Sequence, residues 1–307
     1  MREIETEMTG LVNGLARGRV ATLIAGPTAS GKSRLALKIA ERFDGIIVNA
    51  DSMQVYDSLR ILTARPDQSM LEACEHRLYG YWPGKEHYSA GHWLTDMRSL
   101  LDELRARDRH AVIVGGTGLY FRALLGGLSP MPKIPDDIRR HYRETRATTA
   151  SADLHALLSK RDPVMAERLQ ASDRQRIVRA LEVLEASGQS LSSFQSGGDR
   201  PLVDPAQIHR LVLCPDRALL HRQIATRFHQ MLEQGAVEEV IAFQRLGLSA
   251  QMPVTRAIGV RELSALNAGH MNMDCAIERA IIATRQYAKR QQTWFRNQLD
   301  TDWLPVF

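Results

Sequence analysis

The chain has 307 residues, of which 44% are hydrophobic and 24% charged, and its 40 Lys and Arg against 35 Asp and Glu give a net charge of +5. This composition supplies a sizeable apolar core and excludes a disordered, collagen-like or disulfide-dense chain. The mild basic excess favours an anionic partner without naming one.

Residues 1–19 read as a polar lead-in with room for one helical turn. Glu3, Glu5 and Glu7 stand where a secretory signal needs positive charge and then an apolar run. No segment approaches membrane-spanning length, so a soluble, cytoplasmic chain without membrane contact is expected. Cys74, Cys214 and Cys275 are odd in number and far apart, which fits reduced thiols rather than a metal or redox pair.

The apolar run Val20–Ala25 predicts a buried parallel strand, and Arg34–Ala40 carries helical spacing. Between them lies Gly26-Pro27-Thr28-Ala29-Ser30-Gly31-Lys32-Ser33, a complete G-x-x-x-x-G-K-[ST] phosphate loop. The strand–loop–helix setting is what such a loop requires. Its glycines allow successive backbone N–H groups to converge on one anion, and the following helix start adds partial positive charge. Lys32 is placed to neutralise a phosphate, and the Ser33 hydroxyl to sit on Mg2+.

A second apolar run, Gly45–Ala50, ends at Asp51-Ser52-Met53-Gln54. Ligand-binding groups emerge at the carboxyl ends of parallel strands, so this acid is a candidate site residue. A structural turn or helix N-cap is the alternative. Residues 60–90 read mostly as loops. Ser89–Asp108 carries a helical pattern, and Ala111–Val114 predicts a third strand ending in Gly115-Gly116-Thr117-Gly118-Leu119-Tyr120. No Asp closes that strand, which argues against an ATP-hydrolysing motor.

From about Gly126 the texture changes. A proline-rich stretch, Ser129–Pro135, opens about seventy residues of helical periodicity without a strand. Ser172-Asp173 marks a helix start and Gly188 a stop, and the turn-rich Ser196–Pro201 closes the segment. The expected organisation is a phosphate-loop core over 1–126, a helical insertion over 127–200 and the rest of the core over 201–307. The fold class is therefore α/β: a P-loop NTPase-like parallel sheet flanked by helices, with an inserted all-helical domain. The sheet resumes with the strand Ile208–Pro215, followed by a helix from about Arg217 to Gln234. A last long helix, about Asp274 to Leu299, buries Ile277, Ile281, Thr284, Ala288 and Gln291. It carries Arg285, Lys289, Arg290 and Arg296 with no acid from Ile281 to Leu299. Arg285, Lys289 and Arg296 share one face. A solvated surface explains such a face, but surfaces usually mix signs, and a nucleic-acid phosphate contact explains it better.

The words of the sequence go further. The phosphate loop, Asp51-Ser-Met-Gln-Val-Tyr56, Gly115-Gly-Thr-Gly-Leu-Tyr120, Gln175-Arg-Ile-Val-Arg-Ala-Leu-Glu182 and Thr284-Arg-Gln-Tyr-Ala-Lys-Arg-Gln-Gln-Thr-Trp-Phe-Arg296 resemble the tRNA dimethylallyltransferases, the bacterial isopentenyl transferase family. They fall in family order and span nearly the whole chain. The resemblance implies transfer of a dimethylallyl group from dimethylallyl diphosphate to N6 of the adenine next to the anticodon, with Mg2+ as cofactor and a monomeric enzyme. It implies that Asp51 is the base, with Lys32 and Arg227 assisting departure of the diphosphate. It also implies that Asp51, Ser52, Met53 and Gln54 touch the flipped adenine. Further tRNA contacts are implied at Thr117, Arg139, Gln175, Arg176, Ile177, Val178, Arg179, Arg256, Arg261, Lys289, Arg290 and Arg296. Residues 57–65 and Val260 depart from the family's common pattern. From the residues alone, a phosphate-loop kinase and a nucleotide-switched RNA-binding protein stay open as rivals. The kinase leaves the basic helix without a role.

Overall fold

A computed structural model of the chain describes residues 2–194 and 201–307, with residues 2–7 described by their backbone alone. The described residues form one six-stranded sheet, with β1 Ala21–Ala25, β2 Gly45–Asn49, β3 His76–Arg77, β4 His110–Gly115, β5 Ile208–Leu213 and β6 Leu304–Val306. Its order is β3-β2-β4-β1-β5-β6, and every neighbouring pair runs parallel. Every residue of β1, β2 and β4 is buried. That is why these strands read as continuous apolar runs: a parallel sheet is covered on both faces.

On one face, Leu35, Ala36, Ile39 and Ala40 of the helix Lys32–Phe43 pack on Ile24, Ile47, Val112 and Val114. Met8 and Val12 of the helix Arg2–Gly14 close the outside of this cluster. The lead-in expected at the N-terminus is thus a helix of 13 residues, stabilised by packing of an apolar stripe rather than by propensity. The helix Ala90–Ala106 is capped by Ser89, whose hydroxyl accepts from the His92 N–H, and it buries Trp93, Met97, Leu100 and Leu104 along one side. Trp93 stacks on Tyr120 at 4.4 Å between ring centroids and donates its indole N–H to Asn49 O. That bond fixes the end of β2, two residues before Asp51.

The chain divides into two compact units, residues 1–125 with 202–307, and residues 126–201. The second is helical throughout its described secondary structure, with Tyr142, Leu154, Leu158, Ile177 and Leu181 in its core. Its longest helix runs Arg174–Ser187. The Asp173 carboxylate caps the start by accepting from Arg176 N, and Gly188 at φ 69° ends it. The turn-rich boundary expected at Ser196–Pro201 lies, Pro201 apart, outside the described residues.

Candidate active site

The carboxyl ends of β1, β2 and β4 lie side by side and carry the phosphate loop, Asp51 and Gly115-Gly116 in turn. The strand order reverses about β1, so this is the crevice where parallel sheets of this kind bind ligands. Gly31 stands at the entry to the helix Lys32–Phe43 with φ 87°, a left-handed conformation that costs a residue with a Cβ about 1–2 kcal/mol. The Lys32 ammonium donates to Pro27 O at 3.1 Å, curling back over the loop. Burial pulls its pKa down to about 8; Asp51 acts against this and Arg227 adds to it. An ammonium held so far below its ordinary range gains strongly when an anion arrives.

Asp51 is held by its neighbours. Its backbone N–H donates to Asn49 Oδ1, and its Oδ1 accepts from Met53 N at 2.9 Å. The Thr117 hydroxyl accepts from Ser52 N at 2.9 Å and so ties the Asp51 segment to the turn after β4. The phenols of Tyr79, Tyr120 and Tyr287 are pushed up, first by desolvation and then by the charge of Asp51, so they stay protonated. From the helix Arg217–Glu233, Arg227 donates to the Thr28 hydroxyl at 3.3 Å. Its guanidinium is pulled down by burial and supported by Asp51.

Gln291 unites these parts. It is buried on the helix Met273–Gln298. Its Oε1 accepts from Thr28 N at 2.8 Å, and its Nε2 donates to Gly116 O at 2.9 Å. One amide thereby sets the spacing between the anion cradle and the turn beside Asp51. Gly116 is required by this arrangement, because a Cβ there would overlap Gln291 Nε2 and approach Asp51 Oδ2. The sequence places Gln291 at a buried position of its helix but says nothing of what it touches there.

Two cavities open at the site. The larger, about 1250 Å³, is lined by Ala29, Ser30, Gly31, Lys32, Ser33 and Gln54 together with Arg60, Arg65 and Arg222. The smaller, about 320 Å³, brings Asp51, Ser52, Met53, Arg227, Arg256 and Arg290 together with an apolar wall of Leu62, Ile224, Phe228 and Ile258. Thr28 belongs to the smaller cavity, and Ala29, Arg227 and Met231 line both. Gly26 and Pro27, which open the loop, are buried. Arg261, Lys289 and Arg296 are exposed and line neither cavity.

In the helical unit, Gln175 and Arg176 are exposed and Arg139 is partly so. Ile177 and Val178, grouped with them from the sequence, belong instead to that unit's apolar core, at 0% and 5% exposure. Their side chains are taken up by packing within that unit. A helix that presents Gln175 and Arg176 to solvent turns the next two side chains inward, since successive residues are rotated by about 100°. Arg176 and Arg179 already face carboxylates, Asp173 at 3.4 Å and Glu182 at 3.3 Å.

Sheet order, phosphate loop and buried cationic cradle define a phosphate-loop enzyme of the α/β class. The chain matches the family model described as IPP transferase over residues 54–298, and one described as isopentenyl transferase over residues 19–80. It is 55% identical over 288 residues to a tRNA dimethylallyltransferase of Chelativorans sp., covering 93% of this chain and 99% of that one. It is 52% identical over 286 residues to the one of Agrobacterium fabrum, covering 93% and 96%. Among solved structures, a tRNA isopentenylpyrophosphate transferase from Bacillus halodurans aligns at a TM-score of 0.66 and 28% identity, over 94% of this chain and 89% of that one. A eukaryotic dimethylallyltransferase acting on tRNA aligns at 0.75 and 26%, over 90% and 69%. The chain belongs to the IPP transferase family and is a transferase.

Proposed function

We propose that the chain transfers a dimethylallyl group from dimethylallyl diphosphate to N6 of the adenine 3′-adjacent to the anticodon in tRNA, giving N6-(dimethylallyl)adenosine. One observation carries the mechanism: Asp51, Arg227 and the phosphate-loop residues Thr28 and Ala29 line a single cavity with an apolar wall of Leu62, Ile224, Phe228 and Ile258. A carboxylate, a guanidinium and an apolar wall are the three groups this reaction asks for.

The adenine amine is a weak nucleophile because its lone pair is delocalised into the ring. As its nitrogen forms a bond to the allylic carbon, Asp51 accepts the proton it sheds. The bond from that carbon to the diphosphate oxygen breaks, and the leaving group takes the electron pair. Lys32, Arg227 and the N–H groups of the loop hold the charge that grows there. Gln291 consumes the Thr28 N–H, so the cradle proper begins at Ala29. Arg227 offers a planar fork suited to phosphate oxygens. The base has to leave the anticodon stack to reach Asp51.

Mg2+ fits the donor set. Among the described residues no group of three or more His, Cys, Asp and Glu is arranged to hold a metal. Ser33, which lines the larger cavity, would supply one oxygen in the manner of a site completed by phosphates and water. Bound there, the ion would offset negative charge on the diphosphate. For the tRNA we propose contacts at Ser52, Met53, Gln54, Thr117, Arg139, Gln175, Arg176, Arg179, Arg256, Arg261, Lys289, Arg290 and Arg296. At Arg176 and Arg179, phosphate has to compete with the carboxylates already present. Among the described residues no helix is long and apolar enough to cross a membrane.

The test uses purified protein, magnesium, labelled dimethylallyl diphosphate and an unmodified tRNA with adenines after its anticodon. Digestion and mass spectrometry are expected to show an adenosine heavier by one five-carbon unit. ATP-dependent phosphorylation of small acceptors without that product would overturn the proposal.

A further inference from the structure

The segment Leu59–Pro66 walls both cavities. Arg60, Ile61, Ala64 and Arg65 face the larger, and Leu62 and Thr63 the smaller. It contains no strand or helix, and it bends through Ala64 at φ 53°, a left-handed conformation that a residue with a Cβ adopts only when its surroundings impose it. The turn closes through Ala64 N on Ile61 O at 2.9 Å and Arg65 N on Arg60 O at 3.0 Å, and the residues that offer those carbonyls are held in turn by a carboxylate outside both cavities. Glu239, in the first turn of the helix Ala236–Arg245, accepts from three consecutive backbone N–H groups of the segment. Arg60 N and Ile61 N donate to Oε1 at 2.6 and 2.7 Å, and Leu62 N donates to Oε2 at 2.9 Å. Three successive N–H groups turned on one anion form a nest, and bonds to an ionised carboxylate are the stronger kind. Farther along, the Gln54 amide bonds Thr63 O and Ala64 O, Arg65 bonds Asp57 O, and the segment closes on itself through the Thr63 hydroxyl at Leu59 O. Leu62 is pinned from its backbone by Glu239 while its side chain is buried against the pocket at 8% exposure.

We propose that Glu239 is a positioning residue that clamps the Leu59–Pro66 wall over the site, so that the fit of the prenyl diphosphate depends on a carboxylate that touches no substrate. The kinetic part rests on the transferase reading above; the mechanical part does not. Removing the carboxylate releases three N–H groups at once and lets the wall swing out. Its first effect is on substrate affinity, because Asp51, Lys32 and Arg227 hang from other elements.

Limited trypsin digestion with mass-spectrometric mapping, run beside steady-state kinetics on wild type, Glu239→Ala and Glu239→Gln, tests this. Arg60 is exposed and followed by Ile61, whereas Arg65 precedes proline and resists trypsin, so the diagnostic cut is at Arg60–Ile61. Glu239→Ala is expected to speed that cut about tenfold or more with other sites unchanged, since cleavage follows the population of the open segment. KM for dimethylallyl diphosphate is expected to rise about tenfold, with kcat within about threefold. Glu239→Gln keeps one acceptor oxygen but turns an NH2 toward the nest, so it is expected to fall between. An unchanged rate at Arg60–Ile61 in Glu239→Ala overturns the clamp, and so does faster cutting at every site alike, which marks general loss of stability. Faster local cutting with an unchanged KM overturns the link to the substrate. If wild type transfers no prenyl group, the proposed function fails while the digestion still decides the clamp.

Discussion

Lys32 offers a quantitative check on the cradle. Its pKa of about 8 lies below the value of 10.5 that it has when free of the fold, because burial penalises the charged form. The free enzyme therefore sheds this proton as pH rises through about 8, whereas a bound diphosphate requires it. Such a group is about 90% protonated at pH 7 and about 10% at pH 9, so affinity carried through that charge falls about tenfold over the interval. Lys32→Arg keeps its charge throughout and lacks this step. The assay is calorimetric binding of inorganic diphosphate from pH 6.5 to 9.5 to both proteins. The ligand's own titration is common to the two and cancels in the ratio of their affinities. That ratio is expected to fall through pH 8, and a constant ratio would refute a buried, depressed Lys32. Stability moves the other way. Between pH 8 and 10.5 the unfolded chain binds this proton and the folded one does not, so the contribution of Lys32 to stability increases with pH there.

Asp51→Asn keeps an oxygen for Met53 N but cannot take the amine proton. Turnover is expected to drop by about 10²–10⁴ with tRNA affinity nearly unchanged, and equal losses in both would point to a binding role. Gln291→Ala leaves Thr28 N and Gly116 O without their partner, at about 1–3 kcal/mol each, so urea denaturation is expected to show a loss of about 2–6 kcal/mol together with slower transfer. The double change Lys289→Ala, Arg296→Ala is expected to flatten the slope of log affinity for tRNA against log salt by about 1.4–1.8, and an unchanged slope would remove that face from the contact. His110 is buried between Thr22 and Arg19 O, and its pKa is lowered to about 4, chiefly by burial. Its folded pKa lies below the unfolded one, so stability present above about pH 6.5 is lost as pH falls towards 4, by roughly 3 kcal/mol at about 1.4 kcal/mol per unit. Melting curves of His110→Gln are expected to lack that part of the acid sensitivity.

Local chemistry was readable wherever one stretch of chain contains the whole cause. The apolar runs of β1, β2 and β4 follow from a sheet covered on both faces, and the phosphate loop needs only its own glycines, lysine and flanks. Asp173 and Gly188 mark helix ends because cap and stop act within a turn of themselves. The helices expected at 217–234 and 274–299 run Arg217–Glu233 and Met273–Gln298. Short strands were not readable. β3 has two residues and β6 three, and β6 exists because Leu304 pairs with Leu211 of β5 across the chain. The helices Gly118–Gly126, Ala236–Arg245 and Val260–Asn267 likewise drew no expectation.

The sequence by itself determined that an anion is cradled after the first strand, that an acid stands at the end of the second, and that the last helix is basic. Only the tertiary structure decided which of those cations face a cavity: Arg290 does, while Lys289 and Arg296 on the same helix do not. It also decided that Gln291 bonds to Thr28, 263 positions away, and that Glu239 holds the backbone of residues 60–62. The reason is physical. A hydrogen bond to a backbone N–H does not depend on the side chain of the residue that donates it, so such partners leave no pattern in the sequence and appear only when folding brings distant segments within about 3 Å.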